Sequence, residues 1–305
     1  MSALPKIAAI APWFGGKRTL APAVVEQIGR HTQYFEPFCG SMAVLFAKQP
    51  SQKETVNDLH GDLVNLARVL QDIDQAEQLY DRLQRVLFCE ALLTDAGAYL
   101  EANDEDSRDP LEWAYWYFLA SWKQRNGVAG TDRAGYQIAV RWTKNGGSPT
   151  VRFHNAVESI PWWHSRLRNV VILKRDAFRI LDRFEDCKET AIYVDPPYIA
   201  ESRTGFDNTA GEHSRYQHEF SHGGDGLFGH KDDHTRLHDV LSAYRHARIV
   251  VSYYDCPRVR QLYAGWTFID KTMNKNLHIK KDGGETKEAP ELLILNGPSF
   301  SGGDE

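Results

Sequence analysis

Short apolar segments alternate with amphipathic segments in two parts of the sequence, and this alternation restricts the chain to few folds. One strand is predicted to end at Glu36 and another at Val56, and a helical pattern follows each of them. The alternation resumes from Asn169 with "VVILKRDAFRIL", "AIYVDPPY", "ARIVVSYYD" and a last short strand, "ELLILN". Strands that alternate with helices predict a mostly parallel sheet. The expected fold class is therefore α/β.

A different pattern interrupts this alternation. Residues 72–122 have a helical, aromatic-rich pattern, and residues 124–160 are rich in glycine and basic side chains, as loops are. We therefore predict three sections. These are residues 1–65 as the first part of the core, residues 66–165 as an inserted and mainly helical module, and residues 166–305 as the second part of the core.

The charges of the inserted module are unevenly distributed, although the net charge of the whole chain is only −5. Residues 72–112 contain 12 acidic and 3 basic side chains, whereas residues 121–152 contain 6 basic side chains and Asp132. A basic, glycine-rich stretch predicts contact with the phosphates of a nucleic acid. Ordinary variation of surface charge is the simpler alternative.

Composition indicates a compact protein of a reducing compartment. Hydrophobic residues make up 42% of the chain, which is enough for a sizeable core. The four cysteines are far apart and form no CxxC pair, which argues against a disulfide framework or a zinc ribbon. The apolar run near the N-terminus is too short to span a membrane and is a poor signal peptide. We expect a cytoplasmic protein without a membrane partner.

Acidic residues follow four of the predicted strands. In open α/β sheets, ligands bind beyond the carboxyl ends of the strands, so these acids are expected along one edge: Glu36, Asp58, Asp176 and Asp195. Such a row suits a ligand with hydroxyl and amino groups better than a bare polyphosphate, and neither GxxxxGK[ST] nor a full GxGxxG is present. For any single acid, a helix cap is the simpler alternative.

The stretch "DPPY", residues 195–198, stops a predicted core strand abruptly. An ionised Asp195 only accepts hydrogen bonds, and Pro196 offers a carbonyl but no N–H group. Together they form two acceptors for an amino group, and Tyr198 offers a flat face on which a planar base can stack. Pro196 and Pro197 also make the backbone rigid, so the acceptors are preorganised. This arrangement predicts a holder for the exocyclic amine of a nucleobase turned out of its duplex.

With these motifs the sequence resembles a known family, the Dam-like (D12 class, α group) DNA adenine-N6 methyltransferases. The resemblance covers most of the chain and rests on an ordered set of motifs: "WFGGKR" at 13–18, "FEPFCGS" at 35–41, "VNDLH" at 56–60, "KRDAF" at 174–178, and "DPPY". It implies a Rossmann-like methyltransferase sheet with an inserted, mainly helical target-recognition domain. It also implies transfer of a methyl group from S-adenosyl-L-methionine to N6 of a flipped adenine in a specific sequence of double-stranded DNA.

The resemblance, carried over position by position, implies two sets of site residues. The cofactor-binding set is Trp13, Lys17, Glu36, Phe38, Gly40, Asp58, Asp176, Phe178 and Asp195. The catalytic set is Asp195, Pro196, Pro197 and Tyr198. Within the first set, Lys17 is expected to pair with the cofactor carboxylate, Asp58 with the ribose hydroxyls, and Phe178 with the adenine. No metal is expected.

The inserted module is expected to choose the DNA sequence. Its candidate DNA contacts have side chains that bind phosphates or read base edges: Lys123, Arg125, Asn126, Arg141 and Lys144. Asn126 with its following glycine falls where the family's recognition module has a comparable pair.

Two features are not explained by these motifs. Met42 stands where family members usually carry a second glycine, and we expect it on the first turn of a helix with altered packing rather than lost binding. His230, His234 and His238 share one predicted helix face and could ligate a metal. A solvated or DNA-facing helix is the favoured interpretation of these histidines.

Three functional hypotheses stay open. The first is an adenine-N6 methyltransferase, which the motif order and "WFGGK" favour. The second is a cytosine-N4 methyltransferase, since the Asp-Pro acceptor pair could hold that amine as well. The third is a non-catalytic DNA-binding protein, against which the intact Asp195, Tyr198, Lys17 and Asp58 argue. We expect a monomer or weak dimer, with a cognate restriction enzyme as a candidate partner.

Overall fold

The computed structural model describes residues 6–13, 15–102, 104–124, 138, 148–199, 220–221, 232–271, 273–274 and 288–300. The helices within these ranges are α1 (Ala21–Ile28), α2 (Ala43–Ala47), α3 (Gly61–Gln71), α4 (Ile73–Gln84), α5 (Glu90–Ala102), α6 (Pro110–Lys123), α7 (Pro149–Glu158), α8 (Ile160–Leu167), α9 (Asp233–Ser242) and α10 (Pro257–Leu262). The strands are β1 (Gln33–Glu36), β2 (Lys53–Asn57), β3 (Val170–Leu173), β4 (Thr190–Val194), β5 (Arg248–Tyr254), β6 (Thr267–Asp270), β7 (Met273–Asn274), β8 (Glu288–Ala289) and β9 (Glu291–Leu295).

Seven of these strands form one sheet in the order β3-β2-β1-β4-β5-β9-β6. The first five strands are parallel, whereas β9 runs antiparallel to both β5 and β6. The predicted α/β class and the mostly parallel sheet are confirmed. Strand order reverses between β1 and β4, and a crevice at such a reversal is where open α/β sheets bind ligands.

Both faces of the central strands are buried. Tyr34 of β1 belongs to the apolar cluster on one face, and its neighbour Phe35 belongs to the cluster on the other face. Successive residues of a strand point to opposite faces, so helices must cover both sides of the sheet. Tyr193 and Ile192 of β4 divide between the two clusters in the same way.

The helices between β2 and β3 pack against the first of these faces. Leu66 of α3, Phe118 of α6 and Trp163 of α8 lie in the same apolar cluster as Tyr34 and Val56 of the sheet. Helices α3 to α8 lie between β2 and β3 in the chain, and their packing is continuous with the sheet. That they form an inserted target-recognition module stays a prediction. Its division from the core at residues 66 and 165 stays a prediction.

Local sequence signals explain where the strongest of these helices begins. Asp109 accepts a hydrogen bond from the backbone N–H of Glu112 at 2.9 Å, and Pro110 occupies the first turn. Proline there loses no helical hydrogen bond, as the sequence predicts. None of the described helices is long and apolar enough to cross a membrane.

Candidate active site

A cavity of about 290 Å³ lies beyond the carboxyl ends of β1, β2 and β4. Nine of the residues predicted for the site contribute to its wall: Trp13, Phe38, Gly40, Asp58, Asp176, Phe178, Asp195, Pro196 and Pro197. Three others, Lys17, Glu36 and Tyr198, lie behind this wall and are at most 7% exposed. The row of acids predicted from the strand ends thus meets at one edge of the sheet.

The turn after β1 requires glycine at position 40. Gly40 has a φ of 44°, and a Cβ there would lie 2.8 Å from Nε1 of Trp13. Asp58 fastens this turn to the end of β2, since its carboxylate accepts the N–H groups of Gly40 at 2.8 Å and His60 at 3.0 Å. The close approach brings the indole of Trp13 and the Asp58 carboxylate to the same wall of the cavity.

The sequence predicts Met42 on the first turn of α2. In the structure it lies immediately before that helix. It adopts a left-handed conformation, with a φ of 63°, and is the only non-glycine residue to do so in the described part of the chain. Glycine suits such a backbone best. Its side chain is fully buried in the core and does not contribute to the cavity wall.

Aromatic rings form one end of the cavity. Phe220 lies between Phe38 and Phe178, with ring centroids 5.6 and 5.7 Å apart, and the guanidinium of Arg236 lies 4.0 Å from the centroid of Phe178. The Asp176 carboxylate accepts the N–H of Phe178 at 2.9 Å and caps a short 3-10 turn. For Asp176, the helix-cap alternative therefore describes its observed contact.

A group of charged side chains lies around Asp195, which is part of the cavity wall. Lys17 Nζ lies 3.1 Å from Asp195 Oδ1 and 3.3 Å from Glu291 Oε1, and it donates a hydrogen bond to the Gly15 carbonyl at 2.7 Å. Tyr198 donates its hydroxyl hydrogen to Glu291 Oε1 at 2.6 Å. Lys17 is therefore paired with protein carboxylates rather than turned toward a cofactor carboxylate.

Tyr198 does not present the open face predicted for stacking on a base. Only 2% of the residue is exposed, and its ring lies 4.6 Å from that of Tyr254 and 4.8 Å from Lys17 Nζ. Burial of the ring reflects contacts with β5, which the local sequence around "DPPY" does not reveal.

Burial changes the ionisation of the acids at this edge. It raises the pKa of Glu36 to about 8, against the opposing hydrogen bond that the Tyr34 hydroxyl donates to Glu36 Oε2 at 2.9 Å. Burial also raises the pKa of Asp195, although Lys17 and the hydroxyl of Ser252 act in the opposite direction. Perturbed carboxyl groups at the wall of a cavity are typical of catalytic sites.

A family model described as D12 class N6 adenine-specific DNA methyltransferase matches residues 13–277. The chain belongs to this family. DNA is the substrate of the family, and methyltransferases of this kind normally use S-adenosyl-L-methionine.

No curated protein matches this methyltransferase. A solved structure of a precorrin 8w decarboxylase from Methanobacterium thermoautotrophicum is 8% identical over 91% of this chain and 87% of that chain, with a TM-score of 0.32. That TM-score is too low for the similarity to carry an argument.

One predicted DNA contact of the methyltransferase is in its interior. Lys123 is fully buried, donates a hydrogen bond to the Leu87 carbonyl at 2.7 Å, and lies 5.4 and 5.5 Å from the rings of Phe88 and Phe153. A buried ammonium group cannot neutralise a DNA phosphate, so the assignment of Lys123 to DNA is wrong. The other candidates lie outside the described residues: Arg125, Asn126, Arg141 and Lys144.

The histidine face also differs from its interpretation. His234 of α9 is buried, with Nδ1 2.9 Å from the Tyr253 hydroxyl, so it is neither solvated nor facing DNA. His238 Nε2 lies 3.1 Å from the Ser242 hydroxyl, and His230 lies outside the described residues. The described ranges contain no group of three or more side chains able to hold a metal ion.

Several residues of the site escape sequence reasoning. Phe220 and Arg236 complete the aromatic end, Ser252 donates a hydrogen bond to Asp195, and Glu291 pairs with Lys17. None of the four carries a local sequence signal that marks it as part of the site. Their places in the site depend on contacts between distant segments.

Proposed function

We propose that the protein transfers the methyl group of S-adenosyl-L-methionine directly to N6 of an adenine turned out of double-stranded DNA, within a specific sequence. The observation that carries this proposal is the position of Asp195 and Pro196 in the wall of a cavity that also has an aromatic end. The acceptors of Asp195 and Pro196 suit an amine that must donate two hydrogens, and the aromatic end suits a planar ring.

The charge of the cavity fits the proposed cofactor. Its wall contains four acidic and two basic side chains: Asp58, Asp176, Asp195, Asp233, Arg175 and Arg236. This acidic excess suits a ligand that carries a sulfonium and an ammonium group, and it disfavours a polyphosphate. When bound, S-adenosyl-L-methionine supplies an electrophilic methyl group.

Three parts of the wall are proposed to hold the cofactor. Phe38 and Phe178 offer apolar ring faces for its adenine, and Asp58 has the acceptor oxygens that ribose hydroxyls need. Trp13 and Gly40, which lie against each other, would shape the wall around the methionine end.

Asp195 and the Pro196 carbonyl are proposed to accept the two hydrogens of the target amine. The lone pair of an aromatic amine is delocalised into the ring, and two acceptors draw the nitrogen toward tetrahedral geometry, which makes it a better nucleophile. The amine nitrogen would form a bond to the methyl carbon as the bond between that carbon and the cofactor sulfur breaks, which leaves S-adenosyl-L-homocysteine. The nitrogen would then give one of its protons to water, so that one N–H bond is replaced by one N–CH₃ bond. Because the acceptors are held by a rigid Pro196-Pro197 backbone, they need not reorganise during the reaction.

The experiment that tests this function compares Asp195→Asn and Asp195→Ala with the wild type, using DNA and labelled cofactor followed by digestion to nucleosides. We expect label in N6-methyladenine for the wild type and a loss of turnover of about a hundredfold or more in both variants, with cofactor binding retained. Asp182→Asn, which changes an exposed acid, is the control. Label in N4-methylcytosine, or a variant that keeps a tenth of wild-type turnover, would contradict the proposal.

The helical section at residues 66–165 is proposed to carry target recognition, through Arg125, Asn126, Arg141 and Lys144. Binding to DNA should then weaken with salt, with a log–log slope of about −0.9 for each phosphate contact. Arg141→Glu should reduce this slope by about one and leave sequence preference unchanged, whereas Asn126→Ala should relax preference at one base pair. An unchanged slope and preference in both variants would place recognition elsewhere.

A further inference from the structure

Among the residues that the structure describes, two side chains contact the Asp195 carboxylate at the same oxygen, Oδ1. Ser252 of β5 donates its hydroxyl hydrogen to Oδ1 at 2.7 Å, and Lys17 Nζ lies 3.1 Å from the same atom. Neither contact uses Oδ2, and the Asp195 side chain, 20% exposed, forms part of the cavity wall. Ser252 is fully buried, so its hydroxyl contributes to this site from inside the protein.

Glu291 provides a second carboxylate at the same place. It is the first residue of β9 and pairs with Tyr254 of β5, which brings a residue near the end of the chain beside the "DPPY" segment. Its Oε1 accepts the Tyr198 hydroxyl at 2.6 Å and lies 3.3 Å from Lys17 Nζ. One buried ammonium is therefore shared between Asp195 and Glu291.

We propose that Ser252 and Glu291 are positioning residues of the methyl-transfer site, which orient the Asp195 carboxylate through Oδ1 and hold Lys17 between two carboxylates. This inference rests on the proposed role of Asp195 as an acceptor for the target amine. A fixed Oδ1 directs the second oxygen, Oδ2, toward the cavity where the amine binds. Glu291 keeps part of the Lys17 charge away from Asp195, which preserves the strength of Asp195 as an acceptor.

The two residues act on the charge of Asp195 in opposite directions. Titratable or polar groups from every neighbouring element face Asp195: Lys17 before α1, Glu36 of β1, Tyr193 of β4, Tyr198 after β4, Ser252 and Tyr253 of β5, and Glu291 of β9. Burial raises the pKa of Asp195, Lys17 and the Ser252 hydrogen bond lower it, and the Glu291 charge raises it. Loss of the serine hydroxyl should therefore raise this pKa, and loss of the glutamate charge should lower it.

The experiment compares the pH dependence of kcat in Ser252→Ala and Glu291→Gln at saturating DNA and cofactor. We expect the acid limb to move up by about one pH unit in Ser252→Ala and down by about one in Glu291→Gln. We also expect kcat at its optimum to fall roughly tenfold in each variant, while the dissociation constant of the cofactor stays within about twofold of wild type.

A measurement without turnover follows the same carboxyl group directly. Infrared difference spectra of the ligand-free protein, with Asp195→Asn to identify the band, should show the same opposite shifts in Asp195 ionisation. Matched controls are Ser121→Ala, another buried serine, and Glu158→Gln, another glutamate that accepts a tyrosine hydroxyl; neither should move the band.

The possible failures of these tests are distinguishable. If Asp195→Asn is inactive but the two variants shift in the same direction or not at all, the positioning assignment is overturned and the proposed function stands. If Asp195→Asn keeps wild-type turnover, the proposed function fails, and the assignment fails with it. If Glu291→Gln does not fold, Glu291→Asp replaces it. Because this variant keeps the charge, the acid limb of its pH profile should stay within about half a pH unit of wild type. A downward shift of a full pH unit would overturn the role of that charge.

Discussion

Two buried groups of charged side chains lie at opposite edges of the sheet, and they differ in the balance of their charges. The amino-edge cluster consists of Lys48, Glu54 and Arg166. Glu54 is contacted by Lys48 and by both terminal nitrogens of Arg166, one of them at 2.9 Å, so two cations surround one carboxylate. All three side chains are at most 8% exposed.

The carboxyl-edge cluster, made of Lys17, Glu36, Asp195 and Glu291, has the reverse balance. One ammonium is shared by two carboxylates, and the charge of Asp195 also raises the pKa of Glu36. Similar side chains thus have an excess of positive charge at one edge and of negative charge at the other, and Asp195, with 20% of its side chain exposed, is more open to the cavity than any member of the amino-edge cluster.

The difference teaches that the balance of charges around a carboxylate separates a structural cluster from a chemical one. At Glu54 burial raises the pKa, but hydrogen bonds from Arg166 and Lys48 outweigh it and hold the pKa below its usual value. At Asp195 a single lysine does not outweigh burial, and the pKa stays raised. A carboxylate that contacts more cations than other carboxylates remains ionised and stabilises the fold. A carboxylate that shares one cation with another carboxylate can gain or lose a proton, or exchange hydrogen-bond partners, during a reaction.

The largest effect expected is on the pH dependence of stability in Glu36→Gln. Because the folded-state pKa of Glu36 is raised from 4.5 to about 8, its stabilising contribution is complete below pH 4.5 and is lost as the pH rises through about 8. Relative to the variant, the wild type should lose on the order of 4–5 kcal/mol of unfolding free energy across this interval. Urea unfolding at several pH values measures the difference, and parallel curves would refute it.

A smaller effect of opposite sign is expected for Glu54→Gln. The folded-state pKa of Glu54 is lowered, so its contribution is present above its usual pKa of 4.5 and is lost as the pH falls. The variant leaves two buried cations without this carboxylate, and we expect a loss of about 3–5 kcal/mol of unfolding free energy at pH 7. The difference from wild type should shrink below pH 4.5. Equal destabilisation at pH 7 and pH 3.5 would show that the cluster is not held by charge.

The smallest effect concerns binding rather than stability. Asp58→Ala removes acceptors at the carboxyl edge, and we expect cofactor affinity to fall by about 1.5–3 kcal/mol, roughly ten- to a hundredfold. Calorimetric titration with S-adenosyl-L-methionine measures this change, with Asp182→Ala, an exposed acid, as the control. A normal affinity in Asp58→Ala would mean that this part of the cavity does not hold the cofactor.

The parts of the molecule that the sequence predicts correctly depend on short-range patterns. An apolar run followed by an acid and a helix places Glu36, Asp58 and Asp195 at strand ends, and parallel pairing then brings them to one edge. The α/β class follows from the same alternation. These predictions need no knowledge of which distant segments meet.

The parts that the sequence misses depend on long-range packing. The partner of Lys17 and Tyr198 is Glu291, which follows them by 274 and 93 residues, so no local pattern could reveal it. Lys123 and His234 are polar residues on helices, which favours the surface, yet aromatic neighbours and side-chain hydrogen bonds hold them in the interior.

The position of β9 has a consequence for synthesis of the protein. Residues 291–295 pair with β5 on one side and β6 on the other, although both of those strands precede them in the chain. During synthesis on the ribosome, β6 has no partner in the main sheet until β9 has left the ribosome. Pairings between strands that are distant in sequence are also slow to form. Because β9 also carries Glu291, a nascent chain cannot assemble the complete Asp195 environment before its sheet closes. Assembly of the site around Asp195 is thereby tied to the insertion of β9 between β5 and β6.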